Sequence, residues 1–228
     1  MEYINPSSAD NEHPWLRFRD GNRVVAAHEV GNTSVGVHLL DATNDPVVEF
    51  PALADDAPWA SLDVRDNGQI RLVWSDEDHG TDEASFQYSG CAGSEDCDQL
   101  GDWTANHQSY PTATQHEIDL ADEGAAHPQI VGHGDKQFLL GMADPAGNGQ
   151  NYGVYLYERC GNGAWSGPEL VKNRTSISND QSIANGQPNL VLNKDERIVH
   201  VTFVEVDDLG APTTGTVYWS RKGYELCP

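Results

Sequence analysis

The chain has 228 residues, of which 38% are hydrophobic, enough for a packed core and too many for a disordered chain. Its 36 Asp and Glu against 13 Lys and Arg give a formal charge of -23, which opposes nucleic acid and anionic lipid by long-range repulsion. No window approaches the roughly 18 consecutive apolar residues of a membrane span, and the charge favours a cationic partner, a metal ion or a neutral ligand.

Residues 1–12 are polar where a signal peptide would be apolar and flanked by basic residues. They read as a separate N-terminal segment and a candidate closing strand, and an exported chain would already have lost its leader. From His13 onward one pattern recurs: a polar or small residue, proline, an apolar run, a polar turn, and a second apolar run ending in acid. It reads HPWLRFRDGNRVVAAHE from His13, APWASLDVRDNGQIRLVWSD from Ala57, HPQIVGHGDKQFLLGMAD from His127 and QPNLVLNKDERIVHVTFVE from Gln187. The prolines are Pro14, Pro58, Pro128 and Pro188, so the spacings are 44, 70 and 60 residues.

Each copy continues through a loop rich in Gly, Asp and Asn into an aromatic or β-branched third run: GVHLL from Gly36, ASFQY from Ala84, GVYLY from Gly153 and GTVYW from Gly215. Alternation bounded by turn formers is the strand signal, and nothing of comparable length has helical periodicity. A fourth run follows in three copies: VVEFPAL after Pro46, an ill-patterned stretch after Trp103, and SGPELV after Trp165. Antiparallel strands repeating at this period predict an all-β chain, a β-propeller of four-stranded blades. The expected blades are 13–56, 57–125, 126–185 and 186–228; a sandwich is the competitor. The fourth copy is short after GTVYW, so either the N-terminal segment completes a four-bladed ring or the chain is part of a larger one. Trp74, Tyr88, Tyr157 and Trp219, inside strands, are expected to pack between blades.

Cys91 and Cys97 bracket AGSED, a loop suited to a local disulfide, and Cys160 and Cys227 fall at matching positions of their own repeats, where a bond between neighbouring blades is open to them. Such use of cysteine, with the sequons at Asn32 and Asn173, points to an extracellular or cell-surface protein.

The His-Pro or Gln-Pro that opens an inner strand, the turn Asp66-Asn67-Gly68-Gln69-Ile70, the aromatic third strand and CGNGAWSGPELV from Cys160 together resemble the sialidase-like propellers with bacterial-neuraminidase repeats. The resemblance covers most of the chain from residue 13 and implies a propeller fold. It does not extend to the chemistry. The Asp box keeps only its turn and tryptophans, Trp165 and Trp103, with Glu158 and Cys160 where Ser and Asp would stand. The sialidase arginine triad is not identifiable: Leu16-Arg17-Phe18-Arg19 lacks the Ile-Pro that follows it in the family, and Arg17, Arg65, Arg71, Arg159 and Arg221 are scattered over strands and turns.

In an antiparallel blade the start of the first strand and the loop between strands two and three share one end. That mouth is expected to receive Trp15, Trp59, Gln129 and Asn189, each just after a repeat proline, and one carboxylate per repeat: Glu29, Asp76, Asp144 and Glu205. Tryptophans beside carboxylates and amides suit a neutral sugar, which binds by ring stacking and directional hydrogen bonds, although Trp15 and Trp59 are equally suited to packing between blades. No cofactor is required, but Asp76, Asp78, Asp82, Asp207 and Asp208 lie in oxygen-rich loops that fit Ca²⁺. His13, His28 and His127 border the mouth without a recognisable catalytic motif. The leading expectation is a non-catalytic glycan- or protein-binding module. The alternatives are a glycoside hydrolase or lyase working through mouth carboxylates, and an assembly module that self-associates through its incomplete last blade.

Overall fold

The computed structural model describes residues 15–19, 23–30, 34–40, 47–51, 60–78, 83–103, 108–109, 118–119, 128–143, 153–161, 165–173, 189–206 and 215–228. They form four antiparallel sheets. The first contains β1 (Trp15–Arg19), β2 (Arg23–Val30), β3 (Ser34–Leu40) and β4 (Val47–Pro51), paired in that order. The second contains β5 (Ala60–Val64), β6 (Ile70–Asp78), β7 (Glu83–Cys91) and the short β8 (Gln108–Ser109), with β9 (Ile118–Asp119) also pairing to β7. The third is β10 (Gln129–His133), β11 (Lys136–Ala143), β12 (Gly153–Cys160) and β13 (Ser166–Asn173), and the fourth is β14 (Asn189–Asn193), β15 (Ile198–Val206) and β16 (Gly215–Gly223). Among the described residues the ill-patterned stretch after Trp103 thus supplies only two-residue strands, because it has no sustained alternation to hold a ladder.

Turn chemistry sets the register of the inner hairpins. Gly134 and Asp135 alone connect β10 to β11, and Gly134 takes φ of 57°, the left-handed region that a two-residue hairpin requires. Between β5 and β6 the Arg65 N–H donates to the Gln69 carbonyl at 2.9 Å, with Gly68 at φ of 78°. The period of two along each strand then divides buried from exposed residues: Val199, Val201 and Phe203 of β15 are buried, whereas His200 and Thr202 between them are partly exposed.

The buried residues fall into three cores, one between each successive pair of sheets. Val25, Val37 and Val48 of the first sheet meet Leu62, Leu72 and Trp74 of the second, joined by Trp103 and the Cys91–Cys97 disulfide. Val73 and Tyr88 of the second sheet meet Ile130, Leu139, Tyr155 and Tyr157 of the third. Phe138, Leu140 and Leu156 of the third meet Leu190, Val201 and Phe203 of the fourth, with Tyr224 edge-on to Phe138 at 5.0 Å. Each fully buried large side chain contributes roughly 1.5–3 kcal/mol, so the sheets are held face to face mainly by apolar contact. Trp74, Tyr88 and Tyr157 occupy these cores as expected. Trp219 does not: it is 57% exposed, because it lies on the face of the fourth sheet turned away from the third.

The inner strands are stitched in series by one side-chain to backbone hydrogen bond per pair. The Trp15 indole N–H donates to the Leu62 carbonyl at 3.1 Å, the Ile130 N–H to the Ser61 hydroxyl at 3.3 Å, and the Leu190 N–H to Gln129 Oε1 at 2.7 Å. These bonds join residues near the starts of β1, β5, β10 and β14, while beyond their other ends Arg65 meets Asp135, Lys194 meets Asp66 and Arg19 meets Glu95 and Asp96, so all four strands run in the same direction. Gln129→Leu leaves the buried Leu190 N–H without its acceptor. It is expected to lower the unfolding free energy by about 1–3 kcal/mol in urea titration, and an unchanged midpoint would show the bond to be dispensable.

Candidate functional site

The hairpin registers define the two ends of this row of sheets. Trp15 pairs with Ala27, Ala60 with Trp74, Gln129 with Leu140 and Asn189 with Thr202. The start of every inner strand therefore lies beside the far part of its second strand. The turns into the third strands follow at the same end, where Val30 pairs with Ser34, Asp78 with Glu83, Ala143 with Gly153 and Val206 with Gly215. Since the inner strands run in one direction, these strand ends gather at a single mouth.

At that mouth the structure brings the backbones of Glu29, Asp76 and Glu205 to the last part of β2, β6 and β15, paired with Val35, Ser85 and Thr216. Asp78 ends β6 opposite Glu83. The side chains of these four acids, and Trp59, Asp82, Asp144, Asp207 and Asp208 altogether, lie outside the described residues. So do His13, His127 and the side chain of His28. The acids do not repeat in register. Trp15 and Asn189 each follow a repeat proline, yet Glu29 is two positions beyond the partner of Trp15, whereas Glu205 is three beyond that of Asn189. The backbone positions of these acids thus differ between repeats. Among the described residues no group of three His, Cys, Asp or Glu could hold a metal.

Three of the expected mouth side chains are described. Asn189 is exposed at the start of β14. Gln129 is buried and engaged with Leu190. Trp15 packs partly against the first inter-sheet core, hydrogen-bonded to Leu62, and the Arg17 guanidinium lies 4.9 Å from its ring centroid.

The opposite end, where the first and second strands turn, is cross-tied between sheets. The Arg19 guanidinium donates to the Glu95 and Asp96 carbonyls at 2.7 and 3.2 Å, which fixes the disulfide loop. Arg65 pairs with Asp135 at 2.7 Å and Lys194 with Asp66 at 3.3 Å. Lys222 of the fourth sheet pairs with Glu169 of the third, and His133 Nδ1 and the Tyr224 hydroxyl share a hydrogen bond of 2.8 Å. The Cys160–Cys227 disulfide joins the third sheet to the segment after β16. Exposed ion pairs contribute under about 1 kcal/mol each, so the disulfides and buried bonds dominate this end. A rigid base beneath a loop-built mouth is the usual arrangement of a functional scaffold.

A feature not anticipated from sequence lies at the tied end. Arg17, Arg65 and Arg71, which looked scattered along the chain, all act on one carboxylate, Asp63, together with Lys194. Asp63 and Arg71 are register partners across β5 and β6, and their spacing about the turn was the available signal. Burial pushes the Asp63 carboxyl above the ordinary carboxylate range, against the pull of Arg71, Lys194, Arg17 and Arg65. Burial also pushes the Arg71 guanidinium down to about 10, with Arg65 adding to the shift. Among the described residues Asp63 Oδ2 and the Arg71 Nε and Nη1 atoms are buried without a hydrogen-bond partner. A side chain at Gly132 would put its Cβ 2.3 Å from Arg71 Nη1, so glycine is needed for Arg71 to lie across β10. The chain's own Asp63 is the anion at this arginine cluster, and the cluster lies at the end away from the mouth.

No protein-family profile matches the sequence, and a sequence search of curated proteins finds no match. Solved structures do match. The α-L-arabinofuranosidase of Fusarium graminearum bound to an iminosugar inhibitor superposes with a TM-score of 0.57 at 10% identity, over 95% of this chain and 64% of that one. The α-L-arabinanase of Penicillium chrysogenum complexed with arabinobiose gives 0.58 at 11% identity, over 97% and 64%. The GH32 β-fructofuranosidase of Bombyx mori gives 0.50 at 11%, over 94% and 46%. The chain thus spans less than two thirds of the length of these enzymes. They are β-propeller glycosidases, so the propeller part of the sequence resemblance holds, while these three structures are arabinofuranosidase, arabinanase and fructofuranosidase enzymes, a related but different propeller family from the sialidases. At these identities the likeness establishes fold: the chain is an all-β stack of four antiparallel sheets of the kind found in propeller glycosidases.

Proposed function

We propose that this chain is a propeller glycoside hydrolase acting on neutral furanose-containing glycans of the arabinan type, with its chemistry at the loop-built mouth. The observation that carries the reading is the convergence of four inner-strand starts and acid-ended second strands at one end, in a fold shared with glycosidases bound to arabinobiose and to an iminosugar. Glu29, Asp76, Asp144 and Glu205 supply the general acid and its partner carboxylate. Trp59 and Asn189 line the sugar-binding surface, with Trp15 and Gln129 holding the strands beneath it. A neutral substrate agrees with a charge of -23, which would repel an anionic sugar. The two disulfides favour an extracellular setting. In that setting Ca²⁺ at Asp78, Asp82, Asp207 and Asp208 would order the loops around the mouth. This reading counts four blades in this chain, with residues 1–12 as its N-terminal segment. The comparisons lend no support to a non-catalytic binding module.

The test is release of arabinose from arabinan and of nitrophenol from the α-L-arabinofuranoside. Asp76→Asn and Asp144→Asn, with Glu29→Gln and Glu205→Gln, are each measured against wild type. Loss of the acid or its partner is expected to reduce kcat by about 10²–10⁴-fold. Equal rates in all four variants, or no turnover by wild type on any neutral glycoside, would overturn the assignment.

A further inference from the structure

The fourth sheet has two unlike faces. Leu190, Val199, Val201 and Phe203 are buried against the third sheet. The alternate residues form the other face, where register places Val191 beside His200 and Arg221, Thr202 beside Trp219, and Val204 beside Val217. Three of these apolar side chains are open to solvent: Val191 at 54%, Val217 at 70% and Trp219 at 57%. This is the alternation that forms a core at each of the three inter-sheet contacts, repeated once more with no described sheet upon it.

Two further properties indicate what covers it. Trp219 is held in place, stacked on the His200 ring at 5.8 Å with its indole nitrogen 3.3 Å from His200 Nδ1 and the Arg221 guanidinium 5.6 Å from its centroid. A pre-positioned tryptophan loses little conformational entropy on docking, which is the profile of an interface anchor. Its ring is already engaged by His200, so it is poorly suited to stacking a sugar. The second property is charge. Across the described residues 189–206 and 215–228 the four cations Lys194, Arg197, Arg221 and Lys222 are matched by four carboxylates, and with Asp207 and Asp208 the whole segment 189–228 carries only -2 of the chain's -23. Two copies of so anionic a chain repel each other over most approaches, and repulsion is least where the surface carries no net charge.

We infer that this face is a self-association surface: the exposed face of the fourth sheet packs against the same face of a second copy about a two-fold axis, with Trp219 and Val217 at its centre. An isologous contact needs only one patch, and sheet-on-sheet packing is the mode already used three times within the chain. It is a contact between faces, distinct from strand addition to the β16 edge.

Sedimentation velocity from about 1 to about 100 μM, a range in which mass action populates a modest dimer, tests this at low and high salt. Wild type is expected to be a reversible dimer, tighter at high salt as repulsion is screened. Val217→Asp with Trp219→Ser is expected to raise the dissociation constant by at least about tenfold. Both positions are exposed, so the monomer is expected to melt as wild type does at low concentration. All four cysteines are disulfide-bonded, so Val217→Cys adds a single free thiol, and mild oxidation is expected to trap a homodimer through it. A wild type that stays monomeric at the highest concentration, a dimer indifferent to these substitutions, or failure of the cross-link would each overturn the inference. A monomer whose Val217 face is protected by residues 1–14 in hydrogen exchange would assign the face to the N-terminal segment instead.

Discussion

Replacing Cys160 and Cys227 by serine is expected to lower the unfolding free energy by about 4 kcal/mol, the chain-entropy value for a cross-link closing a loop of this size. The bond spans 67 residues, joining the last residue of β12 to the segment after β16 across the third and fourth sheets. Both cysteines lie outside the buried core, so serine costs little packing and the loss reflects the freed unfolded chain. A second signature follows from the same cause: the denaturant slope increases because the uncrosslinked unfolded state exposes more surface. The Cys91–Cys97 bond, with a separation of 6 residues, contributes only about 2 kcal/mol of loop entropy by the same relation. Its removal also disturbs the core, because both cysteines are buried with Trp103. Urea titrations of the two double variants check both points. An unchanged midpoint and slope on losing Cys160–Cys227 would mean that the last sheet does not depend on its tie.

The second large effect concerns Asp63 and Arg71, and its sign runs against the intuition that neighbouring opposite charges stabilise a fold. Both groups are shifted by burial toward their neutral forms, and both leave buried polar atoms without partners among the described residues. The combined variant Asp63→Asn with Arg71→Met is therefore expected to unfold later than wild type at neutral pH, by about 1–4 kcal/mol, because desolvation outweighs the attraction. The pH dependence follows from the same shift. With its folded value raised above the ordinary 3.8, Asp63 contributes stability while protonated, below 3.8. That contribution is lost as pH rises through the raised value. The single variant Asp63→Asn mimics the protonated acid at every pH. Its advantage over wild type should be absent in acid and grow toward neutrality. Urea midpoints across that interval check it; parallel curves for the two proteins would show that the arginines fully compensate the burial.

The strands were legible because their cause is local. Alternation in RIVHVTFVE and the turn formers Asn67-Gly68 and Gly134-Asp135 act within one hairpin, so the registers Asp63 with Arg71 and Gln129 with Leu140 follow from the chain itself. The repeat of that hairpin predicted four sheets with a common mouth. The stretch after Trp103 lacked alternation and, among the described residues, yielded only fragments of strand. The candidate carboxylates were legible as residue types at strand ends, but not as a constellation, because their relative register depends on how far each second strand runs beyond its partner.

The set of strands, their pairing within each sheet and the cysteines open to bonding could therefore be read from residue order alone. They follow from side-chain period and turn conformation, which are properties of neighbours along the chain. Which faces are covered could not be read that way. Trp74 and Trp219 both lie within strands of alternating residues, yet one is buried against the first sheet and the other is exposed on the last. Only the packing of sheet on sheet, likewise, brings Arg17 and Lys194, distant in the chain, to Asp63 and its hairpin neighbours Arg65 and Arg71. Burial and electrostatic field sum over neighbours in space, and no local pattern encodes which sheet comes to lie against which.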